Sequence, residues 1–183
     1  MPDAHIAERV MPLTGRMAAT AQVSVTPAEP AFRLSLRVPR DAVGTLSKAL
    51  GLSLPVKPKS SETKGTRTAL WLGPDEWLII DSVKNPIEDA AKAKVLNSSV
   101  DVSHRNTAMI VLGPAAEATL SAGCPQNLSL KAFPVGACSR TILGKVEVVI
   151  LRTGVAEFRV ECWRSFSDYA TTYLSEAARG AVV

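Results

Sequence analysis

Most features that mark a membrane, secreted or disulfide-rich protein are scarce in this sequence of 183 residues. No stretch approaches the ~18 uninterrupted apolar residues that a membrane span needs, and the first 30 residues lack the apolar core of a signal peptide. The three cysteines stand at wide spacings that fit neither a disulfide framework nor a C-x-x-C pair. We therefore expect a cytoplasmic protein with reduced, packed thiols and no membrane partner.

Side chains that commonly carry out catalysis are also rare. Of the two histidines, His5 lies near the start and His104 follows a predicted strand. Asp101 and Ser103 supply the other residue types of a hydrolytic triad, but in strand geometry they share a face that His104 does not. No nucleophile elbow, phosphate-binding Gly-rich loop or H-E-x-x-H helix occurs. We predict no catalytic, metal-binding or cofactor-binding residue in this chain.

The charge balance sets a weak constraint on partners. The net charge is +4 and the isoelectric point is about 9.1, while aromatic residues make up only 5% of the chain. This indicates an ordinary solvated surface with a mild preference for acidic partners, such as an acidic protein face or a polyglutamyl tail. Nothing resembles the aromatic and basic pattern of RNA-binding modules, so we expect no nucleic-acid partner.

The first half of the chain alternates strands and helices. We interpret residues 1–30, rich in Ala, Pro and Thr, as a tail that is either disordered or wrapped over a partner. Residues 32–38 alternate strictly and predict a half-buried strand, and a helix then runs from Asp41 to Gly51. A hairpin turning at 73–76, a helix after Asn85-Pro86 and a strand at 100–103 complete the order β-α-β-β-α-β, which is that of a ferredoxin-like sandwich.

The second half repeats this order approximately. A strand at 107–112 is followed by a helix over 115–122, a hairpin with Gly144-Lys145 at its turn, a strand over 157–162 and a final helix that begins at a Ser165/Asp168 capping box. The fold class is therefore α+β, with two ferredoxin-like βαββαβ-type halves packed together. We expect a single domain over 31–183, with halves of about 31–104 and 105–183.

Two tryptophans and one arginine are candidate partner contacts. Trp71 and Trp77 flank the first hairpin turn, and either could anchor a partner or pack in the core. Arg105 follows the strand that ends the first half. The segment 53–68, with Lys57, Lys59, Lys64 and Arg67 opposed only by Glu62, is interpreted as a mobile basic loop.

Several motifs occur in an order and spacing that resemble a known family, the gamma subunit of heterotetrameric sarcosine oxidase. The ordered match spans about residues 30 to 179. The motifs are Leu70-Trp71-Leu72-Gly73-Pro74-Asp75-Glu76-Trp77-Leu78, Val100-Asp101-Val102-Ser103-His104-Arg105, Gly123-Cys124-Pro125, Phe133-Pro134-Val135-Gly136, Arg140-Thr141-Ile142-Leu143-Gly144 and Arg164-Ser165-Phe166-Ser167-Asp168-Tyr169.

This resemblance implies a fold related to the folate-binding domain of the glycine-cleavage T protein. It also implies an accessory, non-catalytic subunit whose partners, a larger alpha subunit with beta and delta, hold FAD, FMN, NAD and tetrahydrofolate. Such a complex demethylates sarcosine to glycine, passes the methyl carbon to tetrahydrofolate and forms hydrogen peroxide. The alternative is a free-standing folate-binding, one-carbon transfer protein of the same fold.

Overall fold

A computed structural model describes residues 11–181 of the chain, so residues 1–10 of the tail predicted over 1–30, with His5, lie outside the described residues. The strands are β1 (Ala18–Ala19), β2 (Ser24–Pro27), β3 (Phe32–Arg37), β4 (Ser61–Lys64), β5 (Arg67–Gly73), β6 (Glu76–Asp81), β7 (Ser98–Asp101), β8 (Asn106–Leu112), β9 (Cys138–Leu143), β10 (Val146–Gly154) and β11 (Glu157–Trp163). The α-helices are α1 (Val43–Leu50), α2 (Ile87–Ala90), α3 (Ala116–Ser121) and α4 (Ser167–Gly180). None of the helices in this part of the chain is long and apolar enough to cross a membrane.

The described strands form two antiparallel sheets. One sheet has the order β4-β5-β6-β3-β7 and the other β1-β2-β8-β11-β10-β9. In the first sheet, β3, β5, β6 and β7 have the predicted ferredoxin-like order, with β4 added at the edge. The second half departs from that order, since β9, β10 and β11 form a meander and β8 lies beside β11.

Three apolar cores arrange these elements in four layers. One core lies between the six-stranded sheet and the helices α3 and α4, and a second lies between the five-stranded sheet and α1. The third joins the two sheets face to face. Because both faces of each sheet are covered, β6 and β10 are apolar on both sides, as in Trp77 and Ile79 against Leu78 and Ile80.

Local turn chemistry agrees with the sequence at several positions. Gly51 ends α1 in the left-handed conformation (φ 66°), where its N–H caps the last carbonyls. Gly144 has φ 59° in the two-residue turn between β9 and β10. The capping box at Ser165 does not form; a 3₁₀ turn over Arg164–Phe166 leads into α4 instead.

Two segments differ from the predictions. Residues 18–27 are not a tail, because β2 pairs with β8 and Val23 and Val25 are buried in the first core. The run of alternation in β2 is only four residues long, too short to stand out among Ala, Pro and Thr. The helix after Asn85-Pro86 is only four residues long, since it ends at Ala90 in a turn over residues 91–92, and residues 93–97 are irregular.

Candidate partner interface

The space between the two sheets contains a buried ion pair. Arg33 in β3 and Glu161 in β11 are 3% and 2% exposed, and Arg33 Nε lies 2.6 Å from Glu161 Oε2. Arg159 Nε donates to the other oxygen of Glu161 at 2.8 Å. Both oxygens of this carboxylate are therefore bound by guanidinium groups, and the polar face that alternation assigned to β3 is turned to the other sheet rather than to water.

A second ion pair joins the sheets at their rim. Glu76, at the start of β6, accepts hydrogen bonds from Arg140 in β9, with Nη2 2.5 Å from Oε1, and from Arg37 at 3.2 Å. The hydrogen bond from Arg140 lowers the pKa of Glu76 below its ordinary value against the opposing effect of burial. Only 14% of the Glu76 side chain is exposed, so this ion pair is largely shielded from water.

Between these two ion pairs the sheets leave a narrow cleft of about 50 Å³. Sites for small molecules are typically about 300–1,000 Å³, so the cleft has no room for a pterin-sized ligand. Its lining includes Ser35, Leu72, Glu76, Arg105, Arg140 and Trp163. The centre of the fold is thus occupied by the chain's own side chains.

The three predicted contact residues have different environments. Trp77 is 1% exposed, and its indole Nε1 donates to the carbonyl of Pro55 at 2.7 Å. Trp77 is a core residue, so its prediction as a surface anchor is corrected. Trp71 is partly buried and packs against the same core. Arg105 is exposed, and its guanidinium lies over the ring of Trp163 at 4.9 Å from the centroid.

The residue types of a triad are not assembled into one. Ser103 is buried, and its hydroxyl accepts from the backbone N–H of Arg33 at 2.9 Å, while His104 is exposed. Burial acts to raise the pKa of Asp101, but hydrogen bonds from Ser103 and Asn85 outweigh it and hold the pKa below its ordinary value. These three residues therefore shape the turn between β7 and β8.

The cysteines are free and buried, as predicted. Burial raises the pKa of Cys138 to about 12 and that of Cys162 to about 12. Because the thiolate is the nucleophilic and metal-binding form, both thiols are poorly suited to chemistry near neutral pH. Among residues 11–181, no three His, Cys, Asp or Glu side chains are grouped to hold a metal ion.

The predicted basic loop is structured over most of its length. Ser61–Lys64 is a strand, and Arg67 is buried, with Nε 2.8 Å from Asp81 Oδ2 and Nη2 3.0 Å from Asp89 Oδ2. The interpretation of a mobile loop is wrong for Arg67, because two carboxylates distant in sequence neutralise it. Local sequence could not show this, since only one acidic residue lies in the segment itself.

Sequence reasoning missed the ion pair that is buried between the two sheets. Arg33 and Glu161 pair across 128 positions, which no local pattern can reveal. Trp163 and Phe166 stack with ring centroids 5.7 Å apart, and both are partly exposed. These two aromatic residues lie at the junction of β11 and α4, and they share one surface because the chain turns there.

Comparison with known proteins identifies the family. The model of the sarcosine oxidase, gamma subunit family matches residues 38–180. The chain belongs to this family. Family members include the sarcosine oxidase gamma subunits of Corynebacterium sp. (strain U-96), 31% identical over 84% of this chain and 79% of the relative, and of Corynebacterium sp. (strain P-1), 30% identical over 96% and 88%.

Solved structures show the same fold. A chain of heterotetrameric sarcosine oxidase from Corynebacterium sp. U-96 superposes with a TM-score of 0.87 at 24% identity, covering 96% of this family member and 98% of that chain. The glycine cleavage system aminomethyltransferase T from Bartonella henselae superposes with a TM-score of 0.66 at 16% identity, over 87% and 49%. The predicted α+β class and its relation to the T protein are confirmed.

Proposed function

We propose that this chain is the accessory, non-catalytic gamma subunit of a heterotetrameric sarcosine oxidase. The complex would demethylate sarcosine to glycine, transfer the methyl carbon to tetrahydrofolate and form hydrogen peroxide. Its alpha, beta and delta subunits would hold FAD, FMN, NAD and tetrahydrofolate. Family membership supports the assignment, and the three unpaired, buried thiols support a cytoplasmic location.

The observation that carries the non-catalytic role is the closed space between the sheets. The Arg33–Glu161 and Glu76–Arg140 pairs span it, and the remaining cleft of about 50 Å³ is too small for a folate or a flavin. A buried carboxylate could grip a pterin, but both oxygens of Glu161 are already bound by Arg33 and Arg159. The chain supplies a rigid scaffold and an outer surface.

The likeness to the T protein favours one alternative, a free-standing folate-binding protein. A tagged chain purified from its native cells separates the two. We expect larger subunits with a flavin absorbance spectrum to co-purify and to oxidise sarcosine, whereas the isolated chain should be colourless and should not bind tetrahydrofolate by calorimetry. An isolated chain that binds tetrahydrofolate would contradict the accessory role and support the alternative.

A further inference from the structure

An arginine and two aromatic side chains form a stack at one mouth of the cleft between the sheets. The guanidinium of Arg105 lies over Trp163, and Trp163 is stacked on Phe166 with 17° between the ring planes. Trp163 and Phe166 are 39% and 37% exposed, although large aromatics are usually covered in an isolated domain. We call these three residues the Arg105 stack.

The backbone holds the Arg105 stack in place. Trp163 ends β11 in register with Asn106, the first residue of β8, and the N–H of Arg164 donates to the carbonyl of Arg105 at 2.7 Å. The Nε of Arg105 donates to the side-chain oxygen of Asn106 at 3.2 Å. The guanidinium is thus fixed by a neutral amide and an aromatic face, which lowers the entropy lost when a ligand binds.

The charge of Arg105 is not neutralised within the part of the chain that the structure describes. Arg33, Arg67 and Arg140 each lie within 4 Å of a carboxylate, but no carboxylate of residues 11–181 lies that close to Arg105. The hydrogen bond to Asn106 uses Nε, and the Nη edge of the guanidinium makes no hydrogen bond to any of the described residues. Such an edge binds a carboxylate through two parallel hydrogen bonds.

We propose that the Arg105 stack anchors this chain to a carboxylate-bearing segment of another subunit of its complex. The Nη edge of Arg105 binds the carboxylate, and apolar side chains of the same segment cover Trp163 and Phe166. Arg and Trp dominate the few residues that carry most of the energy of protein interfaces. This inference rests on the proposed function, because it takes its partner from the complex.

The surroundings favour a single carboxylate over a polyanion. Glu147, about half exposed, and Glu76 line the same cleft. Arg37 and Arg140 neutralise Glu76. Glu147 is neutralised less, because the nearest guanidinium atom, Nε of Arg140, is 3.9 Å away. A nucleic acid would bring several phosphates toward these carboxylates and be repelled, while one acidic side chain aimed at Arg105 is not.

The test uses the tagged full chain expressed in its native cells. Arg105→Met removes the charge and keeps most of the apolar stem, so the amount of co-purified partner subunits per tagged chain should fall at least about tenfold. Trp163→Ala should have a similar effect. Arg40→Met is the matched control, because Arg40 is also exposed and has no carboxylate partner among the described residues, and it should stay within about twofold of the unchanged chain.

Thermal unfolding of each isolated variant checks that Arg105→Met leaves the fold intact; if Trp163→Ala unfolds, Trp163→Phe replaces it. If the Arg105→Met chain captures an amount of partner subunits within about twofold of the unchanged chain, the Arg105 anchor is overturned while the proposed function stands. If the unchanged chain captures no flavin-containing subunits, the proposed function fails, and the anchor fails with it.

Discussion

Charged residues in this protein are buried in pairs whose members are far apart in sequence. Arg33, Arg67 and Arg152 are each less than one-tenth exposed, and each lies within 3.1 Å of at least one carboxylate. Arg152 also lies against the ring of Phe158, at 4.2 Å from the centroid. These three of the 21 basic residues are therefore neutralised in the interior and do not contribute to a basic surface.

Asp89 makes the folded chain less stable as the pH falls into the acid range. Hydrogen bonds from Lys84, Lys92 and Arg67 hold the pKa of Asp89 well below its ordinary value, against the opposing effect of burial. As the pH falls, the carboxylate of Asp89 in the unfolded chain is protonated near its ordinary pKa of about 4, whereas in the folded chain it is protonated only at lower pH. The unfolded state therefore binds more protons in that range. Stability is then fully present above about pH 5 and falls as the pH drops through 4 and below.

We predict that Asp89→Asn lowers the melting temperature at pH 7 and flattens its decline between about pH 5 and pH 2. Thermal unfolding followed by circular dichroism across this range measures both effects. The exposed Glu62, changed to Gln, is the control and should leave the curve of the unchanged chain in place. Parallel curves for Asp89→Asn and the unchanged chain would show that Asp89 does not contribute to acid sensitivity.

At the residue scale, a side chain's environment could be predicted when it depended on residue type alone, and could not when it depended on partners elsewhere in the sequence. The burial of all three cysteines could be predicted from their spacing, because isolated thiols are usually packed. The roles of Trp77 and Arg67 could not, since a tryptophan in a strand fits a core or a surface equally well. The carbonyl of Pro55 holds the indole of Trp77 in the core, and the carboxylates of Asp81 and Asp89 hold the guanidinium of Arg67.

At the scale of the element, the buried pair of Arg33 and Glu161 joins β3 of one sheet to β11 of the other. Glu161→Gln leaves Arg33 and Arg159 without a counter-charge in a buried position, which costs about 3–5 kcal/mol of unfolding free energy. Urea denaturation measures the loss. Glu157→Gln is the control on the same strand, because Glu157 is partly exposed and, among residues 11–181, its side chain pairs only with the hydroxyl of Thr153.

A loss below about 1 kcal/mol for Glu161→Gln would contradict a structural role for the buried pair. Replacing all three charged side chains, with Arg33→Met, Arg159→Met and Glu161→Leu, should destabilise the chain less than Glu161→Gln alone. The reason is that an apolar cluster carries no desolvation penalty, while a buried guanidinium without its counter-charge does.

The first strands are part of the fold, and Gly113 tests this. Gly113 has φ 134°, and an added Cβ would lie 2.3 Å from the carbonyl oxygen of Gln22. Gly113→Ala must push the segment before β2 away from β8 and should cost about 1–3 kcal/mol, with faster hydrogen exchange at Val23 and Val25. Gly44→Ala in α1 meets open space and should be neutral or slightly stabilising. Unchanged exchange in Gly113→Ala would mean that this segment is not fixed against β8.

Element prediction succeeded where the local pattern was long or the turn chemistry explicit. The strict alternation of β3, the glycine that ends α1 and the two-residue turn at Gly144 all appear in the structure. The short strands β1 and β2 could not be found, because four residues of alternation do not outweigh neighbouring Pro and Ala. The helix α2 ends at Ala90, and the apolar residues Ala93 and Val95 that continue its pattern pack against the second core from an irregular segment.

At the scale of the whole molecule, two sheets pack face to face with helices outside. The order of the elements along the chain predicted the α+β class, because the sequence alternates between strand and helix periodicity. The strand order of the second half could not be predicted, since the sequence allows β10 to pair with either β8 or β11, and in the structure it pairs with β11. The interface residues depend on a partner that no single chain displays.

The measurement that tests the central claim most directly is the native mass of the assembly purified through a tag on this chain. We predict one copy of the 19.4 kDa chain bound to larger subunits that carry flavin. A chain recovered alone, or only with further copies of itself, and without flavin would contradict the conclusion that this protein is an accessory subunit.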